Sequence, residues 1–338
     1  MTPSVSVVVL AWQDEPWLER AVTSALASEG VAADVVLVDN GCTTDAVERL
    51  AQRPGVTVVR PGRNLGFAGG CDAGAAVATG TFLALLNSDA EVAPDALRRL
   101  ADAAAEPGVG IATASVRLAD DPSLVNSAGN PLHVLGLSWA GGLGEPAAAH
   151  ARRTDVACAS GAGLVLRRSL WEELGGFAPE YFAYLEDAEL SWRCWQRGLR
   201  VVHVPDAVVV HRYEFSRNPQ KSYLLERNRL LLLLTAHEAR TLALLAVPLL
   251  ALELAMTALA VAQGWGRHKA RGWWWLLRHA GWVRQRRARL QAERTRRDRE
   301  LADLLTTRLS TTAVPLPVGT GALSALLAAW WAVVRRLL

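Results

Sequence analysis

Only four cysteines stand in 338 residues, at positions 42, 71, 158 and 194, and no two share a metal-ligand spacing. That pattern argues against a zinc-ribbon or disulfide scaffold and leaves them as small buried residues of a reducing compartment. The chain lacks a basic leader before its first apolar run, Val5–Trp12, so no secretory signal is expected there. No internal repeat is visible. The glycine-containing segment Arg63–Gly70 has neither the Lys-Ser/Thr of a P-loop nor the dinucleotide fingerprint. Residues 1–30 contain Arg20 and no lysine, which speaks against a sugar-phosphate nucleotidyltransferase with its Arg- and Lys-bearing loop. Residues 284–299 are rich in arginine but hold no aromatic side chain to stack on bases, so nucleic acid is not an expected partner.

What is present is apolar. A hydrophobic content of 51% over this length buries one large domain or two modest ones. The net charge of +3 conceals an asymmetry: residues 263–312 carry 13 Lys/Arg against 4 Asp/Glu, and residues 1–262 carry −8. An acidic body followed by a basic, Trp-rich tail implies an anionic surface under the tail, and lipid headgroups suit it.

Continuous apolar runs mark strands buried on both faces of a sheet: Ser4–Trp12, Asp34–Asp39, Val56–Val59, Thr81–Leu86 and Val109–Ala114. Helical spacing over Glu15–Leu26, Ala73–Thr79 and Pro94–Ala105 separates them, which predicts an α/β sheet. Further on, the pattern predicts a loop over Gly141–Asp155, a strand over Val156–Arg167 and a helix over Ser169–Leu174. A second helix follows over Glu186–Arg197, then short strands over Arg200–Val204 and Ala207–Val210. A domain boundary is expected near 215–240, giving a catalytic domain over 1–215, a connecting helix over 216–240 and a hydrophobic, basic helical region over 241–338.

In open α/β sheets ligands bind beyond the carboxyl ends of the strands, where Asp39 and Asp89 both lie. A Mg or Mn site prefers hard oxygen ligands and leaves positions open for phosphates. Asp89 offers a carboxylate, His211 a nitrogen, and Asn87 a weaker carbonyl. Alone, a histidine after an apolar strand such as His211 is more often a structural residue, and only its partners make a ligand role the better reading. Asp187 at a helix start can serve as a general base, with Glu186 in reserve, because adjacent helix positions point in different directions. The macrodipole also draws acids to such positions without any catalytic role. Arg63, in a loop that allows close backbone approach, is available to a phosphate.

In order along the chain, Val38-Asp39-Asn40-Gly41, Arg63-Asn64 through Gly70, Leu86-Asn87-Ser88-Asp89, Gly175-Gly176-Phe177, Glu186-Asp187 through Arg193, and Pro205 to His211 resemble glycosyltransferase family 2. The closest likeness is to its bacterial rhamnosyltransferase and galactofuranosyltransferase-like branch, and it covers residues 4–235. The resemblance implies a GT-A (Rossmann-like) mixed sheet flanked by helices. It implies inverting transfer from a nucleotide-sugar donor with Mn2+ or Mg2+. Asp39 would lie near the nucleobase, and Arg63 and Asn64 would line the donor pocket. Asp89 and His211 would ligate the metal, and Asp187 would be the base. Asn87 stands where the family's metal motif has its first Asp. Ala178-Pro179 replaces an Asp-Glu pair in a loop that often borders the acceptor.

Leu242–Ala262 holds one charge, Glu253, and one proline, and by length it is a transmembrane candidate. The basic stretch that follows would then lie outside, against the positive-inside tendency, so an interfacial or re-entrant arrangement is favoured over a hairpin with Ala313–Val334. Trp273-Trp274-Trp275, Trp282 and the arginines after it suit a headgroup boundary. Together these features predict a transferase on the cytoplasmic face of the inner membrane, with a polyprenyl-linked or glycan acceptor. dTDP-rhamnose is the first donor expected and UDP-galactofuranose the second. A non-catalytic membrane-attached scaffold of the same fold is the alternative.

Overall fold

A computed structural model describes residues 2–212, 220–309 and 320–338. The chain divides into two compact units. One comprises Met1–Asn130, Ala140–Cys194 and Leu199–Glu214; the other comprises Pro131–Trp139, Trp195–Gly198 and Phe215–Leu338.

Along the chain the strands are β1 (Ser4–Gln13), β2 (Ala32–Cys42), β3 (Val56–Val59), β4 (Phe82–Leu86), β5 (Ala90–Val92), β6 (Val109–Leu118), β7 (Val125–Ser127), β8 (Leu132–His133), β9 (Thr154–Asp155), β10 (Gly163–Arg167), β11 (Arg200–His211) and β12 (Leu305–Thr306). The first unit is built on a ten-stranded sheet in the order β3-β2-β1-β4-β10-β6-β11-β5, with β7 beside β6 and β9 beside β11. β3, β2, β1 and β4 run parallel, β10 runs antiparallel to β4 and β6, and β5 runs antiparallel to β11. The sheet is therefore mixed. Its central strands are Val- and Leu-rich because both faces are covered: Val5 to Val9 of β1 and all of β4 are buried.

The covering helices are α1 (Leu18–Leu26), α2 (Ala46–Leu50), α3 (Gly66–Ala75), α4 (Ala96–Ala105), α5 (Arg168–Leu174) and α6 (Glu186–Gln196). α3 begins earlier than its small-residue pattern predicted, since Gly66 to Gly70 are its first turn rather than a free loop. The glycines serve close approach. A Cβ at Gly70 would meet Leu10 at 2.2 Å, and one at Gly74 would meet Val8 at 2.5 Å. Spaced four apart, they share the face that α3 lays on β1.

Three other expectations are corrected. The strand expected over Val156–Arg167 is confined to Gly163–Arg167, because residues 159–162 turn to meet α6. The loop expected over Gly141–Asp155 contains a short 3-10 turn at Ala147–His150 and β9. The two strands around Pro205 are one, β11, with a register shift against β6 between Val204 and Val208 that absorbs the proline.

The second unit contains α7 (Lys221–Ala236), α8 (Ala239–Leu244), α9 (Ala246–Ala262), α10 (Gly266–Arg278), α11 (Ala280–Glu293), α12 (Asp298–Leu301) and α13 (Thr320–Leu337), with β8 and β12 paired in parallel. Residues 216–219 of the expected connecting helix and 313–319 of the second apolar segment lie outside the described residues. Among those described, no helix is long and apolar enough to cross a membrane. α9 is 17 residues, or about 26 Å, against a hydrocarbon core of about 30 Å.

Candidate active site

The metal-capable pair is made by strand register. β4 ends at Leu86, and Asn87-Ser88-Asp89 reverse the chain into β5, which returns along β11 with Ala90 opposite His211. Residues 122 apart in sequence thereby meet. His211 Nε2 lies 3.0 Å from Asp89 Oδ1 and 3.2 Å from Asn87 Nδ2. Its Nδ1 lies 2.9 Å from Asn126 Oδ1 on β7, and the imidazole is buried. In the tautomer whose Nδ1–H donates to Asn126, Nε2 presents a lone pair to a carboxylate oxygen. Two acceptors held at 3.0 Å repel unless a proton or a cation sits with them.

These donors fit a divalent ion. An oxygen and an imidazole nitrogen suit Mn2+ well and Mg2+ acceptably, and the Asn126 contact orients the ring in the manner common to ligating histidines. Among the described residues no three His, Cys, Asp or Glu side chains converge. A divalent ion held by Asp89 and His211 would keep further positions open to phosphate and water.

Asp187, on the first turn of α6, is held by a different loop. Its Oδ2 accepts the Gly161 N–H at 2.9 Å and its Oδ1 accepts the Ala188 N–H at 2.7 Å. The loop is fixed in turn: Ala159 N–H donates to Ser191 Oγ, whose hydroxyl donates to the Asp187 carbonyl. At its other end Ala162 O accepts the Asn87 N–H at 3.3 Å. Residues 159–162 thus tie the base candidate to the strand end that carries Asn87 and Asp89. A Cβ at Gly161 would sit 3.4 Å from the Phe67 ring and 3.5 Å from Asp187 Oδ2, so ring and carboxylate face the same spot. Burial raises the Asp187 carboxyl above the usual range, against the lowering effect of its backbone hydrogen bonds. As a residue, Asp187 is only partly buried.

Glu186 is placed otherwise. It is buried, its Oε2 has no hydrogen-bond partner, and burial with the neighbouring Asp187 charge pushes its carboxyl well up. The rest of the acidic motif is structural: Arg193 pairs with Glu189 and donates to the carbonyls of Leu174 and Gly176 where α5 ends.

Asp39 and the Arg63-Asn64 loop are joined by Asn40. Its Oδ1 accepts the Leu65 N–H at 2.8 Å and its Nδ2 donates to Gly66 O at 3.0 Å. Asp39 Oδ1 accepts the N–H groups of Gly41 and Cys42, while Arg63 and Asn64 are exposed, with Asn64 Oδ1 on the Gly66 N–H. The first turn of α3, which follows this loop, touches the segment before α6. Phe182 O accepts the Ala68 N–H at 3.0 Å, and a Cβ at Gly66 would sit 2.3 Å from that oxygen. Phe182, Tyr184 and Leu185 all have positive φ, at 62°, 71° and 67°. Such geometry costs about 1 kcal/mol or more per residue and concentrates at functional sites.

Sequence reasoning missed four residues. Asn126 sits in a three-residue strand with nothing around it to mark it. Asn40 stood only inside the motif Val38–Gly41, with no role of its own. Gly161 lay inside an expected strand, and Phe67 inside a glycine-rich segment valued for its backbone.

The profile of the glycosyltransferase-like family 2 matches residues 3–230. The chain is 30% identical over 238 residues to the N-acetylglucosaminyl-diphospho-decaprenol L-rhamnosyltransferase of Mycobacterium tuberculosis, covering 62% of this chain and 76% of that one. It is 41% identical over 113 residues to the succinoglycan biosynthesis protein ExoO of Rhizobium meliloti, and spans 32% of that relative. Among solved structures, the mannosyltransferase PcManGT from Pyrobaculum calidifontis in complex with GDP-Man and Mn2+ matches with a TM-score of 0.53 at 19% identity, over 100% of this chain and 87% of that one. GalNAc-T7 with UDP, GalNAc and Mn2+ matches with a TM-score of 0.58 at 19% identity, over 69% and 48%. At that identity these two share the GT-A-like fold. Family profile, relatives and fold lead to one statement: the chain belongs to glycosyltransferase-like family 2 and is a glycosyltransferase.

Proposed function

We propose that the protein moves a sugar with inversion from a nucleotide-sugar donor, dTDP-rhamnose first and UDP-galactofuranose second, to a hydroxyl of a lipid-linked or cell-envelope glycan. The observation that carries this reading is the tether through residues 159–162. It holds one carboxylate, Asp187, beside the strand end that carries Asn87 and Asp89, which His211 meets from the end of β11. The mycobacterial relative supports the choice of rhamnose, and its name gives N-acetylglucosaminyl-diphospho-decaprenol as its own acceptor.

Asp89 and His211 would hold Mn2+ or Mg2+, whose charge when bound stabilises the diphosphate as it leaves. The remaining work falls to side chains. Asp187 accepts the proton of the acceptor hydroxyl as that oxygen forms its bond to the anomeric carbon. The bond from that carbon to the donor phosphate breaks, and its electron pair leaves with the nucleoside diphosphate. One displacement gives inversion. No second carboxylic acid is needed, because a diphosphate departs without protonation. A carboxyl raised by burial is a better base near neutral pH than a solvated one. Arg63 and Asn64 approach the donor from the loop clamped by Asn40, and Asp39 faces its base. We place the reaction at the cytoplasmic face of the inner membrane, where a polyprenyl-linked acceptor would be met.

The test is a Mn-dependent donor binding and hydrolysis screen of the purified protein across dTDP-rhamnose, UDP-galactofuranose, UDP-glucose, UDP-GlcNAc and GDP-mannose. One donor bound or turned over only with metal is the expected result. Silence across the panel from folded protein with lipid present would contradict the reading and favour a non-catalytic scaffold.

A further inference from the structure

α9 is inside out for a helix in water. Its one charge, Glu253, points inward, where Glu253 and Glu226 share two buried cations, Arg229 and Lys269. Arg229 Nη2 lies 2.7 Å from Glu253 and 3.3 Å from Glu226, and Lys269 Nζ contacts both acids. Pro248 is buried as well. What α9 shows to solvent is a stripe without charge, Val247, Leu250, Leu254 and Val261, spaced three, four and seven apart. On α10, Trp274 and Leu277 are equally bare. All six side chains are 62–71% exposed. On α10 the exposed cations Arg267 and Arg278 recur with Trp274 at helical spacing, so cation and indole share a face, while the Arg271 guanidinium lies over the Tyr223 ring at 4.4 Å. α10 and α11 together hold eight Lys/Arg against one acid.

We infer that this surface of the second unit is a preformed docking face for one leaflet of an anionic phospholipid bilayer, with the α9 stripe, Trp274 and Leu277 entering the acyl boundary and the α10 arginines among the headgroup phosphates. The inference deepens the membrane half of the preceding reading and rests on it. The neutral ion-pair quartet carries the weight of the argument. It turns the one charge of an apolar segment away from the surface, and it ties α9 to α7 and α10 so that the face exists before lipid arrives. A helix too short to cross, uncharged outside and flanked by Arg and Trp lies in the interface plane. A second copy of the chain fits less well, since pairing this face on itself would bring like-charged arginines together.

The experiment is sedimentation of the full chain with extruded vesicles of phosphatidylcholine alone or mixed with phosphatidylglycerol. The expected result is binding to the anionic vesicles at least about tenfold tighter than to neutral ones, weakened by salt. Leu250→Glu with Leu254→Glu should abolish it. Arg267→Gln with Arg278→Gln, which leaves the apolar stripe intact, should weaken it several-fold and flatten its salt dependence. No binding to either vesicle, equal binding by the Leu250→Glu/Leu254→Glu protein with its helical circular dichroism unchanged, or a dimer that the same pair dissolves while vesicles are ignored would each overturn the inference. Donor turnover in the same samples keeps the two readings apart. Turnover without vesicle binding removes only the docking face, and vesicle binding without turnover of any donor removes only the transferase.

Discussion

α4 and α9 obey the same hydrophobic rule in opposite directions. α4 turns Leu97, Leu100, Ala101 and Ala104 to the sheet and shows water Arg98, Arg99 and Asp102, in the pairs Arg98–Asp102 and Arg99–Asp95. α9 turns Glu253 inward onto Arg229 and Lys269 and shows its apolar side chains outward. The charges of α4 are solvated and contribute little to stability. The one charge of α9, half-buried Glu253, meets the fully buried Arg229 and Lys269, which must be matched because a lone ion there costs several kcal/mol. On this one helix the charge is turned toward partners inside the unit and the leucines are turned outward.

Breaking the buried network is the sharpest way to test that contrast. Lys269→Met leaves two carboxylates against one guanidinium, and urea unfolding should show a loss of about 3 kcal/mol or more. Arg98→Ala, at an exposed pair, should cost no more than about 1 kcal/mol in the same measurement. Equal losses would erase the difference between the two helices. The carboxyl of Glu226 carries the same information: burial alone would raise it, yet Arg229 and Lys269 hold it below the usual range. Its contribution to stability is therefore present above the ordinary glutamate range and fades as pH falls through the lowered value.

A smaller effect is expected at the metal-capable pair. Asn126→Ala frees the His211 ring without removing a ligand, and Mn2+ titration of donor binding should show about a 10–100-fold weaker metal dependence. Unchanged Mn2+ affinity would make Asn126 a packing residue. Smaller still is Phe67→Ala. Opening the wall beside Asp187 lets water reach a carboxyl that burial has raised, so its pKa should fall. A base works only when deprotonated, so the acid limb of kcat/KM should move to lower pH. A limb that stays in place would separate Phe67 from the base.

Much of this was legible in sequence, for reasons that differ by residue. β1, β2 and β4 announce themselves because a strand covered on both faces must be apolar, and one such run stops at Asp39 while another stops at Asn87, two residues before Asp89. The pairing of Asp89 with His211 was legible as chemistry but not as geometry, since it depends on β5, three residues too short to carry a pattern. Asn126 and Gly161 were invisible: one is a polar residue that matters only through its partner, the other a glycine valued for its N–H. The apolar run Leu242–Ala262 was read by length and by its one charge. Which way Glu253 points is set by Arg229 and Lys269, 24 and 16 residues away, and no window centred on the run contains that.

The most direct test of the central claim is transfer by Asp187→Asn, assayed beside donor binding in Mn2+. Asparagine keeps the shape and can still accept the Gly161 N–H, but it cannot take a proton. Transfer should fall by about 10²–10⁴-fold with donor affinity unchanged. Full transfer in that variant would contradict the account, because the carboxylate tethered to residues 159–162 would then not be the base.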